Sequence, residues 1–173
     1  LNEGSKLVIA AAGPAIRTLP VGIDTRVQMP AALGFYNPRA FLPGILLVEG
    51  PPWKAAGDGA DRSSDRAVEQ FCAAYRRQDP INAFPLIVVV DDARFAAENL
   101  ENFLWTTFTR SNPAADVYGI DAFVENKHWG CRGSLVIDAR SKAHHAPALE
   151  EDREVSKRVD ALAAPGGPLH GIF

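Results

Sequence analysis

The most unusual polar cluster in the sequence is Lys127-His128-Trp129-Gly130-Cys131-Arg132. Cationic donors beside an indole are the residue types that hold an anionic or aromatic ligand, or a partner surface. The segment reads as a loop that presents Lys127, His128, Trp129 and Arg132; the plainer alternative is a solvated loop with Trp129 folded onto the core. His128 and Cys131 have H-x-x-C spacing, and His144-His145 lie close in sequence. A zinc centre needs three or four ligands in short-spaced pairs, and only one such pair occurs, so no metal site is assigned.

Arg110 follows an apolar helical stripe and precedes Ser111-Asn112-Pro113. There it serves either as an anion-binding residue for a carboxylate or phosphate, or as a simple cation at a helix C-terminus. Asp91-Asp92 stand at the end of a strand, where α/β sheets place ligands. Paired carboxylates there suit a metal or a basic group, but capping and first-turn acid ahead of the helix expected at 98–110 is the better reading. No GxSxG occurs, and no serine or cysteine has neighbours that imply activation. Gly57-Asp58-Gly59 lacks the spacing of a phosphate-cradling loop and puts acid where phosphate would sit. No catalytic residue is therefore assigned within the chain.

The elements that must position these residues alternate. Buried strands are expected at Lys6–Ala12, Ile45–Val48, Leu86–Val90 and Leu135–Ile137, with a weaker one at Val21–Val27. Residues 30–41 look turn-rich and irregular. Trp53–Ser64 is rich in Gly, Ala, Asp and Ser and reads as a flexible loop. Ser63, Ser64 or Asp65 caps a helix to about Arg77, with Val68, Phe71, Cys72 and Tyr75 as its buried stripe. A second helix is expected at Glu98–Arg110, with Leu100, Phe103, Leu104, Thr107 and Phe108 inward. A closing helix over 147–164 starts at Pro147, carries Glu150, Glu151 and Asp152 in its first turn, and buries Val155, Val159 and Leu162. The whole is a layered α/β fold, helices packed on a mainly parallel or mixed β-sheet, in a single domain over 1–173.

Composition narrows the function classes. A net charge of −3 over 173 residues leaves no electrostatic footprint for nucleic acid. The longest apolar run, LIVVV, is far too short to span a bilayer, and no secretory signal is visible in a chain that begins at Leu1. Two cysteines make no disulfide framework, which points to a reducing, cytoplasmic compartment.

With these residues in view, IVVVDDARFAAENLENFLWTTFTRSNPAAD resembles the C-terminal domain of the UbiD family, the prenylated-flavin-dependent decarboxylases. The matching features are the strand ending in acids (Val88–Asp92), the spacer and helix from Glu98, and Leu104-Trp105 through Thr109-Arg110 followed by Pro113 and Asp116. GSLVIDARSK (Gly133–Lys142) is similar to the family's return strand, and FLPGILLVEGPPW to a diverged form of the strand before its Tyr-Pro-Gly turn. The resemblance covers about 41–145.

It implies a UbiD C-terminal-domain-like fold. It also implies a subunit or C-terminal domain of an aromatic-acid decarboxylase or carboxylase (a lyase), contributing oligomer contacts and one wall of the substrate cleft. The family's E-x-x-E-R motif is missing: Glu98 and Glu101 are followed by Asn102, and Glu151 and Glu154 by Val155. Prenylated FMN and its divalent metal are then expected on a larger UbiD-like catalytic subunit or domain, in a homo- or hetero-oligomer. Lys127, His128, Trp129 and Arg132 would face the shared cleft. The alternatives are a non-catalytic assembly module that kept the fold, and a metal-dependent enzyme using His128, Cys131, His144 and His145.

Overall fold

A computed structural model describes Val8 and residues 12–54, 65–145 and 152–172, in two compact units, Leu1–Ala143 and His144–Phe173. In chain order the first unit holds β1 (Tyr36–Ala40), β2 (Ile45–Glu49), α1 (Ala67–Ala73), β3 (Leu86–Val90), α2 (Ala93–Ala96) and α3 (Leu100–Thr109). It continues with β4 (Val117–Gly119), β5 (Ala122–Glu125), β6 (His128–Cys131) and β7 (Leu135–Asp138). The second unit holds α4 (Arg153–Ala163).

The apolar run LIVVV becomes the centre of a mixed five-stranded sheet ordered β1-β2-β3-β7-β4. β2 and β7 flank β3 in parallel, and β1 and β4 close the edges antiparallel. Because side chains alternate across a strand, each central strand feeds two cores. Leu46, Val48, Ile87, Val89 and Val136 meet Val68, Phe71 and Cys72 of α1 on one face. Leu47, Val88, Val90 and Ile137 meet Ala93, Ala96 and Phe103 of α2 and α3 on the other. Burial of each large aliphatic side chain contributes about 1.5–3 kcal/mol, so these paired layers dominate the stability of the unit. The expected α/β layering, with strands at Ile45, Leu86 and Leu135, is what the chain adopts.

Several local expectations are corrected. Val21–Val27 forms bends and turns, not a strand. The segment read as irregular contains a 3-10 turn at Ala31–Leu33 and the edge strand β1. β1 carries Pro38, which an edge tolerates because one side of it needs no donor, and its register shifts beside Asn37 at φ 47. α1 ends at Ala73, four residues before Arg77, and Tyr75 lies past it while still packing on the core. The N-cap position of α1 is Arg66, which makes no side-chain cap, and Asp65 just before it accepts from Ala67 N at 2.8 Å through Oδ1.

The largest correction concerns α3. Phe103 and Thr107 face inward with Thr106, but Leu100, Leu104 and Phe108 are 49%, 44% and 49% exposed. Two overlapping apolar stripes, 100/104/108 and 103/107, compete for the sheet, and the break before α3 decides between them. Asp92 caps α2 through Phe95 N, and Asn99 restarts the helix by accepting from Asn102 N at 2.8 Å. That start turns Phe103 onto Phe41, with ring centroids 5.0 Å apart.

In the second unit α4 begins at Arg153, capped by Asp152 Oδ1, and none of its residues is buried. Its expected buried stripe of Val155, Val159 and Leu162 is therefore exposed. Pro147, Glu150 and Glu151, most of Lys6–Ala12, and 55–64 of the glycine-rich loop lie outside the described residues.

Candidate functional site

The cluster at 127–132 is not a loop but one arm of a hairpin. β5 and β6 pair antiparallel in the register Ala122↔Cys131, Phe123↔Gly130, Val124↔Trp129 and Glu125↔His128. A two-residue turn joins them, Asn126 and Lys127 at φ 50 and 66, the geometry a hairpin's right-handed twist requires. Asn126, a residue that tolerates left-handed backbone, is the signal in the sequence that marks this turn.

Strand geometry then divides the cluster. Residues opposite one another share a face, and neighbours alternate. Trp129 and Cys131 point to one side, where both approach Gly119 of β4; a Cβ on that glycine would lie 2.3 Å from the Cys131 Cβ. His128 and Arg132 belong to the opposite side with Phe123, whose ring carries the Arg132 guanidinium 4.5 Å from its centroid. Lys127 sits at the exposed turn. His128 and Cys131, three apart in a strand, therefore face opposite ways and do not share a metal. Among the described residues no group of three or more His, Cys, Asp or Glu is placed to hold one. His144 and His145 pack ring to ring at 4.8 Å.

The sheet's other end holds Arg110. Glu49, Asp91 and the segment after Asp138 mark the C-terminal ends of the parallel strands, whereas the hairpin joins the sheet beside Leu135, at the start of β7. Arg110 and the hairpin cations therefore lie at opposite ends of β7. Arg110 Nη1 meets Asp91 Oδ2 at 2.8 Å and also donates to Ser141 Oγ, and its guanidinium stacks 5.0 Å from the Trp105 ring centroid. The same Asp91 oxygen accepts from Ser141 N at 2.8 Å. Arg110 is thus committed to a partner of this chain, and the adjacent acids divide: Asp92 caps a helix, Asp91 joins helix and strand.

Beneath Arg110 lies a buried ionic array. Arg140 is fully buried, with Asp138 Oδ1 and Oδ2 both at 2.8 Å, Asp65 Oδ2 at 3.2 Å and the Pro51 carbonyl at 2.7 Å. Burial pushes its guanidinium pKa down, but the hydrogen bonds and charge of Asp138, with those of Asp65, raise it above the ordinary value. Lys142 Nζ donates to the carbonyls of Arg110, Asp138 and Arg140 and lies 3.4 Å from Asp116. Reading the sequence does not single out these side chains, although Asp-x-Arg-x-Lys directly after a buried strand places all three on one face. Each charged group in the array lies beside one of opposite sign, so the array fastens the segments flanking α1, α3 and β7 together.

Trp129 is different. It forms one wall of an open groove of about 390 Å³, with Tyr75, Tyr118, Val117 and Ala122 around it and Cys72 and Gly119 at its floor. Glu69 and Asp121 also line it. Burial pushes the Cys72 thiol up to about 12 and raises both tyrosine hydroxyls, so all three stay protonated near neutrality.

Fold and site thus define an α/β module with a buried ion-pair array at one end of its sheet and an aromatic hairpin groove at the other. No family model matches the chain. It is 28% identical over 160 residues to a protein of Chlamydia pneumoniae named as a subunit of 4-hydroxybenzoate decarboxylase, covering 92% of this chain and 24% of that protein. An uncharacterized protein of Chlamydia muridarum is 27% identical over 162 residues, with 93% and 24% covered. The chain therefore spans about a quarter of the length of the curated relatives it matches. Among solved structures, the vanillic acid decarboxylase of Sedimentibacter hydroxybenzoicus in open form aligns over 69% of this chain and 26% of that one. The identity is 15% and the TM-score 0.38. No helix among the described residues is long and apolar enough to cross a membrane.

Proposed function

We propose that this chain is the C-terminal-domain-like part of a UbiD-type aromatic-acid decarboxylase or carboxylase, working with a larger catalytic domain or subunit. The observation that carries the reading is the alignment of nearly all of this chain with one quarter of a protein named for 4-hydroxybenzoate decarboxylation. It is supported by the Leu104-Trp105…Thr109-Arg110…Pro113 helix end and by the paired state of the charges at the sheet's C-terminal end. The larger partner would hold prenylated FMN and its metal and supply the chemistry of carbon–carbon cleavage. This chain would contribute oligomer contacts and one wall of the cleft. On its hairpin, Lys127, His128 and Arg132 would face the shared cleft, near a carboxylate or phosphate, while Trp129 walls the adjoining groove. On this reading the assembly works in the cytoplasm.

A second reading, a non-catalytic assembly module, is favoured by one feature. Phe95, Leu100, Leu104, Trp105 and Phe108 are all more than a third exposed on α2 and α3. A helix apolar on both sides is normally covered on both.

Native mass spectrometry of the gently purified, tagged chain from its own source separates the two. Co-isolation of a larger polypeptide with a flavin-sized mass bound to it is expected for the decarboxylase. A bare homo-oligomer without cofactor would leave only the assembly role.

A further inference from the structure

We infer that the groove beside Trp129 binds an organic cation, an ammonium or guanidinium group on an apolar stem. The groove is lined by this chain's own residues. Its lining divides into three aromatic side chains, Trp129, Tyr75 and Tyr118, small apolar ones, and two carboxylates, Glu69 and Asp121; among the described residues no Lys, Arg or His lines it. Aromatic rings attract a cation through their negative faces, and the nearby carboxylates add charge attraction while repelling an anion.

The walls are held in place. Tyr75 is fixed by its hydroxyl, which donates to the Gln28 carbonyl at 2.6 Å, and by edge contact with Phe71 at 5.2 Å. Tyr118 packs against the core beneath α1. Gly119 gives the floor its depth, because any side chain there would collide with Cys131. Among the described residues each carboxylate has a basic neighbour outside the groove: Arg66 lies 2.9 Å from Glu69, and Arg132 4.0 Å from Asp121. Both pairs are solvent-exposed, where such contacts are worth little and yield readily to a competing cation. The hairpin thus keeps its own cations on the outer side and turns an indole towards acid on the inner one.

The test is a titration of the isotope-labelled chain followed by amide and indole NMR shifts. The probes are benzyltrimethylammonium, acetyl-lysine methylamide, and benzoate and benzyl alcohol as anionic and neutral counterparts. Benzyltrimethylammonium is expected to shift Gly119, Ala122 and the Trp129 indole N–H, and the two counterparts to leave them still. Trp129→Ala should weaken binding roughly tenfold. Glu69→Gln, a surface change that spares the fold, should weaken it and flatten its salt dependence. Tighter binding of the lysine derivative than of the free ammonium would identify a basic side chain of a partner protein as the occupant; the reverse would identify a small amine. Equal response to benzoate or benzyl alcohol, no shift at these positions, or unchanged affinity in Glu69→Gln would overturn the assignment.

Discussion

The two ends of the mixed sheet treat charge in opposite ways. At the C-terminal end, Arg140, Asp138, Lys142 and Asp116 are buried, and with the partly buried Asp65 they form linked ion pairs. At the hairpin end, Glu69, Asp121, Lys127, His128 and Arg132 remain at least partly exposed, and the aromatic groups beside them are only partly covered. A buried charge tolerates no vacancy among its partners, so the first end is spent on holding the fold. An exposed charge is cheaply re-paired, so the second end is open to a ligand. Internal ion pairs thus occupy Arg110, Arg140 and Lys142 at one end of the sheet, whereas the hairpin's charged side chains at the other end face solvent.

That contrast can be broken by substitution. Arg140→Met removes the guanidinium that bridges Asp138 and Asp65, and should cost about 3–5 kcal/mol, read as a lowered urea midpoint. If the loss is below about 1 kcal/mol, the array is not what binds α1 to β7. Lys142→Met takes a donor from three carbonyls and a counter-charge from Asp116, and should cost about 1–3 kcal/mol by the same measurement. Arg110→Ala removes a partly exposed pair with Asp91 and should cost about 1 kcal/mol. At the other end, His128→Ala should change stability by no more than about 0.5 kcal/mol, while lowering turnover of the reconstituted assembly if the outer hairpin face meets the cleft.

A thiol probe sharpens the comparison with the smallest perturbation. Cys72, its thiol pushed up to about 12 by burial, carries a negligible thiolate fraction near neutral pH and lies on the buried face of α1, so it should stay silent until unfolding. Cys131, on the hairpin and partly exposed, should label first under native conditions. Simultaneous labelling would mean that groove and core open together.

The outer face of α3 offers a separate check. Leu104→Ser with Phe108→Ser should leave the urea midpoint of the isolated chain within about 1 kcal/mol, because both side chains are already half in water. It should abolish association with whatever covers them, measured by analytical ultracentrifugation.

Much of this is legible in the residues. LIVVV declares a strand covered on both faces, and the 3.6-residue spacing of Val68, Phe71 and Cys72 declares the buried side of α1. Other features are hidden for identifiable reasons. Pro38 disguises an edge strand, because the rule against proline applies only to paired donors. The hairpin reads as a loop because each of its strands has four residues and no apolar run. The ion-pair array is invisible because Asp65, Asp116 and Arg140 are far apart in sequence, and nothing local says which charges will be buried.

By itself the sequence determined the α/β layering and the buried stripe of α1, since these depend on periodicity and on contacts within a few residues. Only the tertiary structure decided that Arg110 is spent on Asp91, that Trp129 and His128 face opposite ways, and that α3 turns Leu104 and Phe108 to solvent. Those outcomes depend on register and rotation, where one residue's shift inverts a face and no single position records the choice.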